Sequence, residues 1–247
     1  MKSLRALVSG LGQRLVNRSD GFRVDHCLYP PTCLLCGMEA NYHSDCCDHC
    51  RQDLPRVEAA CRRCGLEVAQ AVDQCGRCQQ QPPAFDATWS AFAYRGAIEG
   101  LVQRFKFQRD LAAGRVLAEQ MARQLSALPI PMPDCLVPVP LHVRRRLWRG
   151  FNQAELICRD LTRCLGGPGW RPLLRRLQAT RAQSALPADQ RHGNVRGAFQ
   201  ARRIPPAFRR VALVDDVMTT GATLDECARV LKAAGIERVD VWVAARA

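Results

Sequence analysis

The segment of residues 211–224 has the sequence VALVDDVMTTGATL, in which an apolar run changes abruptly into a polar one. Its first four residues are apolar, as in a strand that is buried on both faces of a sheet. An acidic pair, Asp215 and Asp216, follows, and residues 222–234 then have the spacing of a helix that ends at Gly235. The segment therefore predicts a strand, a polar turn and a helix, the unit from which α/β folds are built.

The polar turn carries the groups that bind a phosphate ester of a sugar. Threonine hydroxyls and backbone N–H groups at the N-terminus of a helix bind a phosphate without a lysine. The turn supplies these groups from Thr219, Thr220, Gly221, Ala222 and Thr223. The two aspartates repel a phosphate, but they can accept hydrogen bonds from vicinal sugar hydroxyls, and a nearby Mg²⁺ would reduce their mutual repulsion. A phosphate beside a diol describes a ribose 5-phosphate.

A simpler interpretation needs no ligand. Thr219 would then be the N-cap of the helix, and Asp216 would be a turn residue. Capping explains one hydroxyl, but it gives no role to the second acid, the other threonines and the glycine. The sequence therefore favours a ligand site.

The residues before and after this segment continue the alternation of strand and helix. An apolar run at 135–139 precedes a basic loop at 141–150 and a helix from about 152 to 165, and the chain ends in a strand at 238–244. This order predicts a mostly parallel sheet that is covered by helices on both faces. In such sheets ligands bind at the carboxyl ends of the strands.

The region upstream predicts a strand at 88–94 and a helical stretch at 98–128 with a break around 108–114. Lys106 lies in this stretch between Phe105 and Phe107. Spacing alone favours a solvated lysine beside a buried aromatic residue.

Ten of the 14 cysteines lie between Cys27 and Cys78. They include four Cys-x-x-Cys pairs, and equal spacers of ten residues separate the first pair from the second and the third from the fourth. The pairs are Cys33/Cys36, Cys47/Cys50, Cys61/Cys64 and Cys75/Cys78. Two such turns complete one tetrahedral zinc site, so the pattern predicts two structural zinc ions.

Alternatives to this zinc pattern are weaker. A disulfide framework needs an oxidising compartment, and nothing directs the chain to one, while a redox motif needs one pair rather than four. The short spacers favour sequential pairing of the turns over a cross-braced arrangement. Five further residues are interpreted as non-ligands, although Cys46 could compete with Cys47: His26, Cys27, His43, Cys46 and His49.

The cysteines also divide the chain. We expect an N-terminal segment at 1–26 that could form an amphipathic helix, a double zinc ribbon at 27–81 and an α/β domain at 85–247. Pro82 and Pro83 interrupt regular structure between the last two.

The formal net charge of +13 and a pI near 9.5 fit an anionic partner such as nucleic acid or a phosphorylated metabolite. A coding bias is an alternative origin, because all but three of the 36 basic residues are arginines. No apolar run reaches the length of a membrane span, and the N-terminus lacks the pattern of a signal peptide. We therefore expect a cytoplasmic protein without a membrane span.

Residues 211–223 resemble the phosphoribosyl pyrophosphate (PRPP) motif of type I phosphoribosyltransferases. Together with other segments, the chain resembles the competence protein F (ComF/ComFC) family, which has a type I phosphoribosyltransferase-like fold behind an N-terminal double zinc ribbon. The further segments are RFKF at 104–107, VPVPLH at 137–142, RGFNQ at 149–153 and the spaced residues Gln183, Arg191, Asn194 and Val195.

The resemblance implies a role for each matching segment. Asp215 and Asp216 would bind the ribose hydroxyls of PRPP, and residues 219–223 would hold its 5-phosphate. His142 and Arg149 would lie at the pyrophosphate loop, although residues 138–146 lack the glycine that many type I enzymes carry there. Arg181 and Arg191 would lie in the flap that closes over pyrophosphate, and Mg²⁺ would bind together with PRPP. The resemblance assigns no catalytic base.

Two functions are compatible with these features. The chain could take part in natural transformation as an enzyme that transfers phosphoribosyl to an acceptor base. It could instead be a non-catalytic adaptor that retains the PRPP fold and binds single-stranded DNA through arginines at 144–146 and 171–181. A solvated charged face is the simplest interpretation of those arginines. Docking of the ribbons on a protein partner of the DNA-uptake machinery is a third possibility.

Overall fold

The structure, a computed structural model, describes residues 31–40, 44–178 and 195–247. Within these ranges the helices are α1 (Asp48–Gln52), α2 (Gly76–Gln80), α3 (Ala97–Phe107), α4 (Leu111–Ser126), α5 (Val143–Arg149), α6 (Gln153–Leu165) and α7 (Ala222–Ala233). The strands are β1 (Ala87–Ala93), β2 (Cys135–Pro138), β3 (Leu174–Arg176), β4 (Phe199–Ala201), β5 (Arg210–Met218) and β6 (Arg238–Arg246).

Four strands form a parallel sheet in the order β1–β6–β5–β2. β3 and β4 pair separately as an antiparallel ladder. In the parallel sheet β5 lies between β6 and β2, so it is an interior strand, and the acidic pair lies near its carboxyl end. The expected fold class, a parallel sheet flanked by helices behind a double zinc ribbon, is confirmed.

Apolar side chains of β5 alternate between the two faces of the sheet, as the period of a strand requires. Ala212 and Val214 pack with buried residues of α3, α4 and α6 on one face. Val211 and Leu213 pack with α7 and with the β3–β4 ladder on the other face. This alternation directs Asp216 toward the α3 side and Asp215 toward the α7 side.

Side-chain caps fix where the helices begin. The Asp110 carboxylate accepts hydrogen bonds from the backbone N–H groups of Ala112 and Ala113 at 3.0 and 3.1 Å, and Asn152 caps α6 in the same way. Arg109 has a φ of 56°, so the chain turns sharply between α3 and α4. The predicted break in the helical stretch is therefore confirmed.

The two zinc ribbons pack on different parts of the α/β core. The first contacts α4, where Arg115 and Asp45 form an ion pair at 2.8 Å and the Ser44 hydroxyl donates to Glu119 at 2.8 Å. The second lies along β1, where the Thr88 backbone N–H donates to the Arg62 carbonyl at 2.9 Å. β1 is an edge strand, and these contacts cover it.

Two expectations about local structure were wrong. Residues 141–150 do not form a loop, because 143–149 form α5 between the caps His142 and Gly150. The strand before the polar turn continues through the acidic pair to Met218 instead of ending at residue 214. The described helices include none that is both long and apolar enough to cross a membrane.

Candidate functional site

The eight cysteines of the four Cys-x-x-Cys turns form two clusters. Within each cluster the sulfur atoms lie within 4.8 Å of one another, and the pairing is sequential: Cys33, Cys36, Cys47 and Cys50 in the first, and Cys61, Cys64, Cys75 and Cys78 in the second. The Sγ atoms of Cys36 and Cys47 are 3.7 Å apart, and those of Cys64 and Cys75 are 3.8 Å apart. Four sulfurs at about 2.3 Å from a tetrahedral Zn²⁺ are separated by about 3.8 Å, so the geometry fits zinc.

In each cluster hydrogen bonds lower the pKa of one thiol. Burial raises the pKa of Cys33, but hydrogen bonds from the backbone amides of Cys47, Cys36 and Leu35 outweigh it and lower the pKa to about 6. In the second cluster the amide and side chain of Cys78 outweigh burial in the same way and lower the pKa of Cys75 to about 7. Each site therefore contains a thiol that ionises readily, as a zinc ligand must.

The spare cysteine next to the first site is not a ligand. Cys46 is buried, its sulfur donates to the Cys47 carbonyl at 3.6 Å, and burial raises its pKa to about 12. His49 lies outside both clusters as well. The other three predicted non-ligands, His26, Cys27 and His43, fall outside the described residues.

The acidic pair lies at the carboxyl end of β5, beside the ends of β2 and β6. The Asp215 carboxylate accepts the backbone N–H of Asp216 at 2.9 Å, and the Asp216 carboxylate accepts that of Val217 at 2.7 Å. Both carboxylates are thus fixed by the chain that follows them. Asp216 is 5% exposed.

Lys106 is part of this site, so the interpretation of Lys106 as a solvated side chain was wrong. Its Nζ lies 2.9 Å from Asp216 Oδ1, and its side chain is 23% exposed. Burial opposes the positive charge, but Asp216, with a smaller contribution from Asp215, raises the pKa of Lys106 above its ordinary value. The lysine is therefore held as a cation beside the acidic pair.

Asp215 has a different environment from its neighbour. Burial raises its pKa to about 7, and the charge of Asp216 adds to this effect. Lys106, the backbone hydrogen bond from Asp216 and Arg149 act in the opposite direction. A carboxyl group whose pKa is raised this far is typical of functional sites.

The polar turn leads directly into α7. Gly221 is the N-cap, with a φ of 81° that favours glycine, and it makes no side-chain capping bond. A Cβ on Gly221 would lie 2.6 Å from Met218 Cε. The alternative in which Thr219 caps the helix does not hold: Thr219 is exposed, Gly221 is the N-cap, and the Thr220 hydroxyl accepts the Ala222 N–H at 3.4 Å.

The turn from residue 219 to residue 223, called here the phosphate loop, leads into the N-terminus of α7 through a left-handed glycine. A left-handed glycine begins the helix, and threonines lie on either side of it. The first-turn amides and the helix dipole both favour a negative group at this end.

The basic segment after β2 borders the site through α5. The Arg144 backbone N–H donates to His142 Nδ1 at 3.2 Å, so His142 acts as an N-cap. Burial lowers the pKa of His142, and the charges of Arg176, Arg144 and Arg145 lower it further, which keeps the ring a neutral acceptor. Arg149 donates to Gln153 at 3.2 Å, and its guanidinium lies 5.6 Å from the centre of the Phe107 ring.

The structure thus brings together most of the predicted binding residues. The acidic pair, the phosphate loop and Arg149 surround the carboxyl end of β5. Arg181 and Arg191 fall outside the described residues, and the β3–β4 ladder joins the two ends of the segment that contains them.

Sequence reasoning did not place Lys106 in this site, although one signal was present. Only three lysines occur in a chain with 36 basic residues. The two that the structure describes both pair with an aspartate: Lys106 with Asp216, and Lys232 with Asp86 at 2.7 Å. The rarity of lysine in this arginine-rich chain was therefore the signal that pointed to Lys106.

Comparisons with known proteins agree with these features. The family model of the double zinc ribbon domain matches residues 24–79. Competence protein F of Haemophilus influenzae is 34% identical over 225 residues, which cover 88% of this chain and 85% of that protein. The DNA utilization protein YhgH of Escherichia coli K12 is 34% identical over 157 residues, covering 62% of this chain and 69% of that protein.

More distant similarities exist as well. Competence protein ComFC of Bacillus subtilis is 29% identical over 150 residues, or 58% of this chain and 56% of that protein. A solved structure of the allosteric regulatory enzyme of purine biosynthesis is similar at 22% identity and a TM-score of 0.35, over 53% of this chain and 25% of its own.

Proposed function

Because the chain belongs to the competence protein F family, we propose that it acts in the uptake or use of DNA and binds PRPP together with Mg²⁺. The relatives named for competence and DNA utilization support the first part. The second part rests on the site at the carboxyl end of β5.

One observation carries the ligand assignment. Asp215 and Asp216 lie near the carboxyl end of β5, and only Val217 and Met218 separate them from the phosphate loop. Carboxylates suited to hydroxyl groups thus lie beside amides and hydroxyls suited to a phosphate. A ribose 5-phosphate carries vicinal hydroxyls and a phosphate as neighbouring parts of one molecule.

The remaining charge of PRPP is its pyrophosphate. Mg²⁺ bound with the ligand would neutralise part of this charge and polarise the bond to the leaving group. Lys106 and Arg149 both favour the ionised form of Asp215 and lower its pKa, so they supply positive charge at the same edge of the sheet. Lys106 also pairs with Asp216 at 2.9 Å and so helps to position the carboxylate that would accept a ribose hydroxyl.

A matched pair of ligands tests recognition of the diol. Ribose 5-phosphate and 2-deoxyribose 5-phosphate differ in one hydroxyl, and a site that hydrogen-bonds a hydroxyl rejects the analogue that lacks it. We expect the deoxy compound to bind at least roughly tenfold more weakly in calorimetry. Equal affinities would contradict the role of the aspartates, and binding of inorganic phosphate alone would locate all recognition in the phosphate loop.

Transfer of phosphoribosyl is the reaction that this site could support. The bond between ribose C1 and the pyrophosphate oxygen would break, a bond from C1 to an acceptor nitrogen would form, and the acceptor would lose a proton. Incubation with PRPP, Mg²⁺ and a panel of nucleobases should then release pyrophosphate. If no acceptor in the panel gives release although PRPP binds, the chain acts by binding rather than by transfer.

A second candidate function, binding of single-stranded DNA, is favoured by the surface around α5. Phe107, Leu147 and Trp148 are exposed there by 61%, 77% and 64%. Arg109 donates to the Trp148 carbonyl at 2.7 Å, and Arg149 lies over Phe107, so cations alternate with exposed aromatic rings. Stacking platforms among positive charges are the typical surface for single-stranded nucleic acid.

Trp148→Ala tests this surface, with Leu128→Ala as a control at another exposed apolar residue, 40% exposed. Fluorescence polarisation with a labelled oligothymidine should show affinity that falls steeply with salt and roughly 5- to 100-fold weaker binding by Trp148→Ala. Equal affinity of both variants and the unaltered chain would remove α5 from the interface.

A further inference from the structure

Arg246 joins the second zinc ribbon to the phosphate loop. It is the last residue of β6, and it is only 7% exposed. Its Nε donates to the carbonyl of Cys64 at 3.0 Å, and one terminal nitrogen donates to the carbonyl of Met218 at 3.1 Å and to that of Ala247. Cys64 is a ligand of the second zinc site, and Met218 directly precedes the phosphate loop.

The same ribbon forms a wall behind the loop. A cavity of about 140 Å³ lies between them, with Arg77 and Gln81 on the ribbon side and Thr220 and Gly221 on the loop side. The backbone N–H of Ala84, just after the ribbon, donates to Asp225 in the first turn of α7 at 2.6 Å. The second ribbon therefore faces the turn that would hold the phosphate across this cavity, and Arg246 links the ribbon to the residue before the turn.

The first ribbon has different neighbours. Its knuckle residue Leu34 accepts a hydrogen bond from Arg104 of α3 at 3.1 Å, and Asp45 pairs with Arg115 of α4. These contacts connect the first ribbon to α3 and α4, and not to the phosphate loop. The two zinc sites are thus unequal in their connection to the phosphate loop.

We propose that Arg246 is a positioning residue through which the second zinc site sets the affinity of the phosphate loop for its ligand. The inference rests on the proposed function. Zinc fixes the direction of the Cys64 carbonyl, which accepts the buried guanidinium, and the guanidinium in turn fixes the Met218 carbonyl. When the knuckle loosens, Arg246 loses an acceptor that water cannot replace, and Met218 loses its charge-assisted hydrogen bond.

Arg246→Lys tests the link, because a lysine retains the charge but cannot reach both carbonyls with separate nitrogens in a planar fork. The control is Arg63→Lys. Arg63 docks the same ribbon through the carbonyls of Pro83 and Asp86 at 2.7 and 3.3 Å, and no contact of Arg63 with β5 is among those of the described residues.

We expect Arg246→Lys to keep two zinc ions per chain and to weaken PRPP binding by roughly 5- to 50-fold, within the usual range of coupling between sites. Arg63→Lys should stay within about twofold of the unaltered chain, the reproducibility we require of a neutral change. Equal affinity of Arg246→Lys and the unaltered chain, or an equal loss in both variants, would overturn the inference. Absence of PRPP binding by the unaltered chain would instead overturn the proposed function.

A second arm tests the zinc sites themselves and does not depend on how Arg246→Lys folds. Cys64→Ser and Cys36→Ser remove ligands at equivalent positions of the second and first sites. Each variant should lose one zinc ion. PRPP affinity should fall with Cys64→Ser and change much less with Cys36→Ser, and an equal loss with both would contradict a specific path through the second site.

Discussion

At the scale of residues, the site depends on the different surroundings of two adjacent carboxylates at the end of β5. Asp216 is buried and has Lys106 as its partner, whereas Asp215 is half-buried beside it and has its pKa raised to about 7. The sequence predicts the acidic pair because its residues are contiguous. It does not predict Lys106, since 110 positions separate that lysine from Asp216 and only the packing of α3 on the sheet brings them together.

Lys106→Met should destabilise the chain by about 3 kcal/mol, because it leaves the buried Asp216 carboxylate without its counter-charge. Asp216→Asn removes that charge, so the double variant should lose less than the sum of the two single variants. Urea unfolding of all four proteins measures this coupling. Additive losses would show that the ion pair contributes nothing beyond its separate parts.

The raised pKa of Asp215 predicts how stability changes with pH. Between its ordinary pKa of 3.8 and about 7, the folded state binds a proton that the unfolded state has released. The contribution of this group to stability therefore falls as pH rises through this window. Asp215→Asn should remove that slope. The unfolding midpoint of the variant minus that of the unaltered chain should therefore increase from pH 5 to pH 7.5.

The same group should affect ligand binding in the opposite direction. The ionised carboxylate accepts hydrogen bonds through both oxygens, and protonation turns one of them into a donor, so PRPP affinity should rise as pH increases through 7. The profile of Asp215→Asn should be flatter over this range. A variant profile as steep as that of the unaltered chain would assign the titration to another group.

At the scale of elements, the decisive unit is β5, the phosphate loop and α7. The sequence predicts this unit well, because a buried strand, a glycine at the turn and an amphipathic helix each leave a local pattern. It predicts α5 poorly. This helix has seven residues, and its exposed Val143, Leu147 and Trp148 face away from the core, so no apolar stripe marks it.

Gly221→Ala should abolish or strongly weaken phosphate recognition. The φ of 81° is strained for alanine at a cost of about 1–3 kcal/mol, and the new Cβ would also displace the Met218 methyl group that lies against the loop. Gly235→Ala is a matched control at the other end of α7, where φ is 100° and no atom lies within 4 Å of the added Cβ.

Both glycine variants should be less stable in urea, but only Gly221→Ala should lose affinity for PRPP in calorimetry. Equal loss of affinity in both would mean that the strain, and not the loop geometry, governs binding. Unchanged affinity of Gly221→Ala would remove the loop from the site.

At the scale of the whole molecule, the ribbons are part of one structure with the α/β core. The sequence predicts the two zinc sites and their sequential pairing, since ligand spacing is a local property. It does not predict that the second ribbon covers the β1 edge. Nor does it predict the hydrogen bond from Arg246 to the Cys64 carbonyl, because 182 positions separate these two residues.

Removal of zinc should therefore affect more than the ribbons. A chelator should release two zinc ions per chain, and the melting temperature should fall by at least about 5 °C, because metal binding contributes to folding. Differential scanning fluorimetry with a zinc-sensitive dye measures both. Recovery on adding zinc back is the control, and an unchanged melting temperature after complete release would show that the ribbons fold without the metal.

The most direct test of the central claim is a titration of PRPP into the unaltered chain and into Asp216→Ala, each with and without Mg²⁺. We predict saturable binding that Mg²⁺ strengthens and that Asp216→Ala weakens by roughly tenfold or more, as expected for loss of a charged hydrogen-bond acceptor. Lack of saturable binding by the folded, zinc-loaded chain, or equal affinity of the variant, would contradict the assignment of this site to PRPP.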